Sequence, residues 1–261
     1  MIVPAIALNT FREAVRDKIL YVLLGFGILM ILVSKAIGWV SFGGSEKIMA
    51  DIGLTAIWMF SGMVSIFIGT GLIYKEIDKR TIYTILSKPA HRWQFLAGKY
   101  FGLLLTTLVN MAALAMAFLA YMWLSGAPVH WGLIQALFLT FIEMMVITSI
   151  AIFFSSASTP ILSAIFTTVI FFMGQLTKWV VDLGANGLVK QTAPWLEKLL
   201  YGLYLFLPNL HNFNIRQEAV LARPGHPAIP TEQMLACTIY GLSYTLAVLI
   251  AAHFVFRRRN F

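Results

Sequence analysis

Six times along its length the chain runs for about 20 residues with almost no charged side chain, the length an α-helix needs to cross roughly 30 Å of hydrocarbon. This feature restricts the fold more than any other. Backbone facing lipid must satisfy its own hydrogen bonds, which leaves helices and closed barrels. Barrel strands would alternate apolar and polar residues, and these runs do not. Composition agrees: 59% of the 261 residues are hydrophobic and 11% charged, against about 25% charged in a soluble domain. The expected fold is all-α, a polytopic membrane protein of six transmembrane helices forming one domain over residues 1–261.

The spans are expected at about 19–40, 52–74, 100–124, 131–154, 161–181 and 233–256. Residues 4–18 ahead of them read as a helix lying in the membrane interface. Ile6, Leu8, Phe11 and Val15 supply its apolar face, and Arg12, Glu13, Arg16, Asp17 and Lys18 its polar one. Thr10 with Glu13 three residues on has the pattern of a capping box. A signal peptide is disfavoured, because the charged section is long and no small-residue cleavage site follows. Ser61, Ser65 and Gly69 make a small-residue stripe on the second span, and Gly98 and Gly102 another at the entrance to the third; both allow close helix approach. Pro160 stands near the start of the fifth span, where proline is tolerated. Between residues 182 and 231 lies the only long hydrophilic stretch. Its apolar section Pro194–Leu207 is too short to span, reads as an interfacial or re-entrant helix, and is stopped by Pro208-Asn209.

Charge fixes the orientation. With six spans the N-terminus, the 75–99 segment and the C-terminus share one side, and that side carries the whole formal net charge of +8. Lysine and arginine are retained in the cytoplasm, so both termini are expected there. A seventh span at 194–207 would put Arg257-Arg258-Arg259 on the wrong side. Lone Cys237 provides no disulfide framework.

The segment 75–99 is the most densely charged part of the chain. Its Gly98-Lys99 is no phosphate loop: a Walker motif needs glycine five residues earlier and serine or threonine next, where Trp93 and Tyr100 stand. The chain itself is therefore expected to bind no ATP. Ile82, Ile85 and Leu86 instead share one helical face, with Tyr83 beside them, flanked by Lys79, Arg80 and Lys88 and ended by Pro89. A short helix with an apolar knob and a charged rim suits a groove on a partner protein. A solvated loop that merely holds positive charge inside is the plainer alternative, but it needs no such face.

Glu76, Thr81-Ile82, Leu86-Ser87-Lys88-Pro89, Arg92 and Leu96-Ala97-Gly98-Lys99 together resemble the cytoplasmic loop of ABC-2 type permease subunits. Asn9 to Lys18 is similar to the elbow helix of that family, in the branch grouped with multicopper-enzyme maturation, and Pro208-Asn209-Leu210 also looks familial. Arg80 departs from the glycine that many members carry before the threonine. The resemblance implies a half-transporter in a bacterial inner membrane, an exporter. Two permease chains, as a homodimer or with a second permease, would pair with two ATPase subunits that hold ATP and Mg. The 76–92 loop would be the coupling helix seated in the ATPase, with Glu76, Arg80, Thr81, Ile82, Ile85, Leu86, Pro89 and Arg92 as docking residues. Lipid is the other expected partner; nucleic acid is not one.

Glu143, near the middle of the fourth span, is the sharpest internal feature, since an ionisable group at mid-bilayer is costly. Two roles stay open: a substrate pathway or proton relay, and a structural group protonated or hydrogen-bonded to Asn110 or Thr148. Met59 and Met63, and Met144 and Met145 beside Glu143, invite a copper reading that the family branch strengthens. Methionine is equally ordinary packing, and no Met-x-Met or Cys-x-x-Cys motif occurs, so no metal is expected. His211 and His226 have no third ligand nearby in sequence. An intramembrane enzyme would need paired groups at one depth, and Glu143 stands alone. A non-transporting membrane scaffold for a cytoplasmic partner is the other alternative.

Overall fold

Apolar periodicity of this kind produces helices, and the computed structural model contains no strand among the residues it describes, which are 2–40, 45–78, 92–177, 202, 207–222 and 226–258. In chain order the helices are α1 (Ile2–Val15), α2 (Lys18–Val40), α3 (Ser45–Asp78), α4 (Arg92–Leu124), α5 (Trp131–Ala157), α6 (Pro160–Gln175), α7 (Arg216–Leu221) and α8 (Thr231–Arg258), with a 3-10 turn at Leu210–Phe213 before α7. Five of them, α2, α3, α4, α5 and α8, are long and apolar enough to cross a membrane. The fifth expected span is shorter: α6 has 16 residues, about 24 Å at the α-helical rise. Its proline sits in the first turn, as expected.

Helix boundaries differ from the apolar runs for a simple reason. Hydropathy marks only the part of a helix that must be apolar, and a helix continues into headgroups and water while its residues tolerate it. So α3 starts at Ser45 instead of Ile52, and α4 starts at Arg92 instead of Tyr100. At 34 and 33 residues these helices are about 50 Å long, well beyond the roughly 30 Å hydrocarbon core.

Helices α3 and α5 form the centre: 72% of each apolar window is buried, against 22% for α2 and 17% for α8. The serine-glycine stripe on α3 makes this possible. Ser65 hydroxyl lies 3.3 Å from that of Thr107 on antiparallel α4. A side chain at Gly69 would come 3.1 Å from the Cβ of Ala151 on α5. One turn on, Ser155 Oγ–H donates to the Thr70 carbonyl at 3.2 Å.

The second stripe works differently from a contact between two spans. Gly98 and Gly102 receive α1, and a Cβ at Gly102 would lie 2.5 Å from the Ala7 carbonyl oxygen and 2.6 Å from Thr10 Cβ. The expected capping box at Thr10 does not form. Thr10 is fully buried in the middle of α1, away from water, and its hydroxyl bonds back to the Ile6 carbonyl at 2.9 Å. Asp17 caps instead, its Oδ1 accepting the Ile19 N–H at 3.1 Å at the start of α2. Glu13 reaches across to buried Lys99 of α4, Oε2 to Nζ 3.9 Å.

At the other end of the bundle, part of the long hydrophilic stretch is core. Leu207, Leu210, Phe213, Ile215 and Ala219 are buried. Leu210 fills the space above Gly174 of α6, and Asn209 joins two helices: its Oδ1 accepts the Thr177 hydroxyl at 2.7 Å and its N–H donates to the Tyr240 hydroxyl of α8 at 2.9 Å. Gln135 of α5 pins the approach to α8, accepting the Ala228 N–H at 2.7 Å and donating to the Ile229 carbonyl at 3.2 Å. The short helix expected over 194–207 falls, apart from Gly202 and Leu207, outside the described residues.

The glycine seat for α1 is testable. Gly102→Val forces a side chain into backbone and should lower stability by about 1–3 kcal/mol, the usual range for overpacking. Thermal unfolding in detergent checks it; an unchanged midpoint would mean that α1 does not pack there.

Candidate functional site

Two regions were expected to carry function. The docking segment is described only at its edges. Glu76 belongs to the last turns of α3 and Arg92 opens α4, while Arg80, Thr81, Ile82, Ile85, Leu86 and Pro89 lie outside the described residues.

The second region is Glu143. Its side chain is 1% exposed, and its neighbours are not the expected ones. Trp58 Nε1–H on α3 donates to Glu143 Oε1 at 2.9 Å, and Gln175 Nε2–H at the end of α6 donates to the same oxygen at 2.6 Å. Thr148 bonds back to the Met144 carbonyl at 2.7 Å. Five residues from Glu143, it points to another face of α5. Asn110 of α4 is buried, and neither its Nδ2 nor its Oδ1 has a hydrogen-bond partner among the described residues. Glu143 thus links α5 to α3 and α6, not to α4.

The same network runs outward. Gln175 Oε1 accepts Asn214 Nδ2–H at 3.2 Å, and Asn214 Oδ1 accepts Arg216 Nε–H at 2.8 Å. Arg216 Nη1–H reaches Thr55 Oγ1 at 3.4 Å. Its guanidinium carbon sits 4.3 Å from the Trp58 ring centroid, within cation–π range. Trp58 stacks in turn on Phe171 of α6, centroids 4.7 Å apart. Burial pushes the Arg216 guanidinium below its ordinary range, and the carboxylates of Glu143 and Asp51 pull it back. Glu143 and Arg216, both in contact with Trp58, therefore join α3, α5 and α6 to Asn214 and the start of α7.

Sequence reasoning found Glu143 and missed Trp58, Gln175, Asn214 and Arg216. Arg216 counted only as a charge in a hydrophilic stretch. The available signal was the burial pattern Leu210, Phe213, Ile215, Ala219, whose spacing marks a segment folded inward.

These helices and this buried polar centre define an integral membrane protein. The chain belongs to the ABC-2 family of transporters: the family model described as ABC-2 family transporter protein matches residues 4–261, from within α1 to the last residue. Members are permease components of ABC transporters, normally worked by an ABC ATPase, and as transport subunits are generally not enzymes. No curated protein matches the chain.

Glu143→Leu removes the acceptor from two buried donors, on Trp58 and Gln175, whereas Glu143→Gln keeps a carbonyl oxygen for them. The leucine variant should be the less stable by about 1–3 kcal/mol. Paired unfolding curves decide this, and equal or reversed stability would remove the structural role given to these bonds.

Proposed function

We propose that the chain is the membrane half of an ABC exporter in a bacterial inner membrane, coupled through residues 76–92 to a separate ATPase that holds ATP and Mg. The observation that carries the reading is the family match over residues 4–261. The geometry of α3 and α4 supports it. Both helices continue well past hydrocarbon thickness on the side where residues 79–91 join them, so a force applied at that connection meets two long helices. Packing of α1 on Gly98, Lys99 and Gly102 braces the same end. The apolar face of Ile82, Ile85 and Leu86, rimmed by Arg80 and Lys88, supplies the dock, with Glu76, Thr81, Pro89 and Arg92 holding its ends.

The concentration of net positive charge on one side supports six spans with cytoplasmic termini, α6 serving as the fifth. Two permease chains, identical or different, would assemble with two ATPases. The exposed apolar faces of α2 (Phe26, Leu29, Val33) and α8 (Leu235, Ile239, Leu246) are available to lipid or to that second permease. Within the family, Asn9 to Lys18 and Pro208-Asn209-Leu210 favour the branch linked with multicopper-enzyme maturation.

Replacing Ile82, Ile85 and Leu86 together by aspartate should abolish co-purification of the co-expressed ATPase while the chain still inserts in membranes. Capture at the wild-type level would show that the dock lies elsewhere. In the intact complex the permease should also stimulate ATP hydrolysis, and no stimulation would favour a scaffold over a transporter.

A further inference from the structure

Arg216 and Glu143 do not meet as a buried ion pair ordinarily does. A structural pair holds its charges together through direct, often bidentate, hydrogen bonds. Here the guanidinium hydrogen bonds go to Asn214 and Thr55, its face lies on Trp58, and no ion pair at bonding distance joins it to Glu143. Glu143 Oε2 is fully buried and has no hydrogen-bond partner among the described residues. An unpaired carboxylate oxygen in that setting is costly, which marks it as the place for a donor the described protein groups do not supply.

The surroundings say what kind of donor. Trp58 and Phe171 offer a stacked aromatic wall, and a guanidinium already occupies the outer side of the Trp58 ring. About one turn deeper, Ser61 Oγ and both polar atoms of Asn110 are also buried and unpartnered. The Ser65–Thr107 contact sets the antiparallel register that brings Ser61 and Asn110 to the same depth. Next to Arg216 in sequence, Gln217 lines a cavity of about 300 Å³ together with Lys47, Ile48, Asp51, Val220 and Leu221. Asp51 stands one turn before Thr55 on α3, and its carboxylate and that of Glu143 both act on the guanidinium.

We propose that Glu143, Trp58 and Phe171 form a binding site for an organic cation bearing a guanidinium or amidinium group, and that Arg216 is its tethered occupant in this conformation. A ligand entering from the Asp51 cavity takes the place of the Arg216 guanidinium on Trp58 and donates to Glu143 Oε2, with Ser61 and Asn110 available to its further polar atoms. Only the word substrate for this ligand rests on the transporter reading; the binding does not.

The test uses the full chain in phosphatidylcholine nanodiscs without ATPase, titrated with phenylguanidinium and followed by tryptophan fluorescence. Arg216→Gln removes the competitor and should bind phenylguanidinium about ten-fold more tightly than wild type, a gain of the size a desolvated cation–π contact supplies. Phenylurea, the neutral isostere, should show no gain, and Arg216→Gln/Glu143→Gln should lose it. Equal affinities of Arg216→Gln and wild type overturn the proposal, as does a gain that survives loss of Glu143 or extends to phenylurea. If Arg216→Gln is not monodisperse, Asn214→Ala decides, because it frees the guanidinium from its acceptor: tighter phenylguanidinium binding supports the site and unchanged binding overturns it. ATPase capture by the wild-type chain is read separately. Capture without any gain in cation affinity removes this site alone, and a gain in affinity without capture removes the transporter reading alone.

Discussion

Inside hydrocarbon a polar side chain has no water to return to, and most buried hydroxyls among the described residues answer that constraint with a partner inside the protein. Most of the hydroxyls solve it locally. Thr70, Thr106, Thr140, Thr148 and Thr167 each bond back to a carbonyl one turn earlier in their own helix. Such bonds cost the helix little and specify no neighbour. Glu143 has no local solution, because a carboxylate cannot donate to its own helix while ionised and its helix has no free N–H to offer. It must recruit Trp58 and Gln175 from other helices, and in doing so it sets the relative position of α3, α5 and α6. The most expensive residue in the membrane is thus also the one that specifies the packing around it.

The two ends of the molecule use different devices. Toward residues 79–91, backbone approach dominates: glycines 98 and 102 admit α1, and Glu13 reaches Lys99 across the same seam. Toward the other end, side-chain amides dominate. Gln135, Gln175, Asn209 and Asn214 tie the stretch from Leu207 to Ile229 onto α5, α6 and α8. One end is thus held by close backbone approach and the other by side-chain amide bonds.

Much of this was legible in the sequence. The apolar runs locate the spanning helices because hydropathy and helix length answer to the same 30 Å slab, and the serine-glycine stripes mark close approach because only small residues permit it. What failed did so for identifiable reasons. Thr10 carries the local signature of a cap, but burial against Gly102 overrode it, a contact that depends on residues over 90 positions away. Glu143 was flagged by its cost, yet its partners were sought among the nearest candidates in composition, Asn110 and Thr148, instead of across the bundle. Arg216 stands in the long hydrophilic stretch between residues 182 and 231, where a charge carries no signal. Nothing local distinguishes a solvated arginine from one laid on a tryptophan 158 positions earlier, and only the buried spacing around it carried a hint.

The polar centre and the proposed docking loop share one physical connection, α3. Trp58 and Glu76 lie on the same uninterrupted helix, about 27 Å apart at the α-helical rise. A continuous helix transmits a displacement without needing a relay of side chains, so motion imposed near Glu76 arrives at Trp58 largely undiminished. What it meets there is not a smooth surface but a set of discrete bonds. There Trp58 donates to Glu143 and carries the Arg216 guanidinium on its ring. The Trp58–Glu143–Gln175 junction spans three helices, whereas the bonds of the back-bonded threonines stay within one helix, so a displacement of α3 acts on the junction and leaves those threonine bonds intact. The carboxyl group buried at Glu143 is thus bonded directly to a helix that reaches the proposed ATPase dock, with Arg216 laid against the same tryptophan.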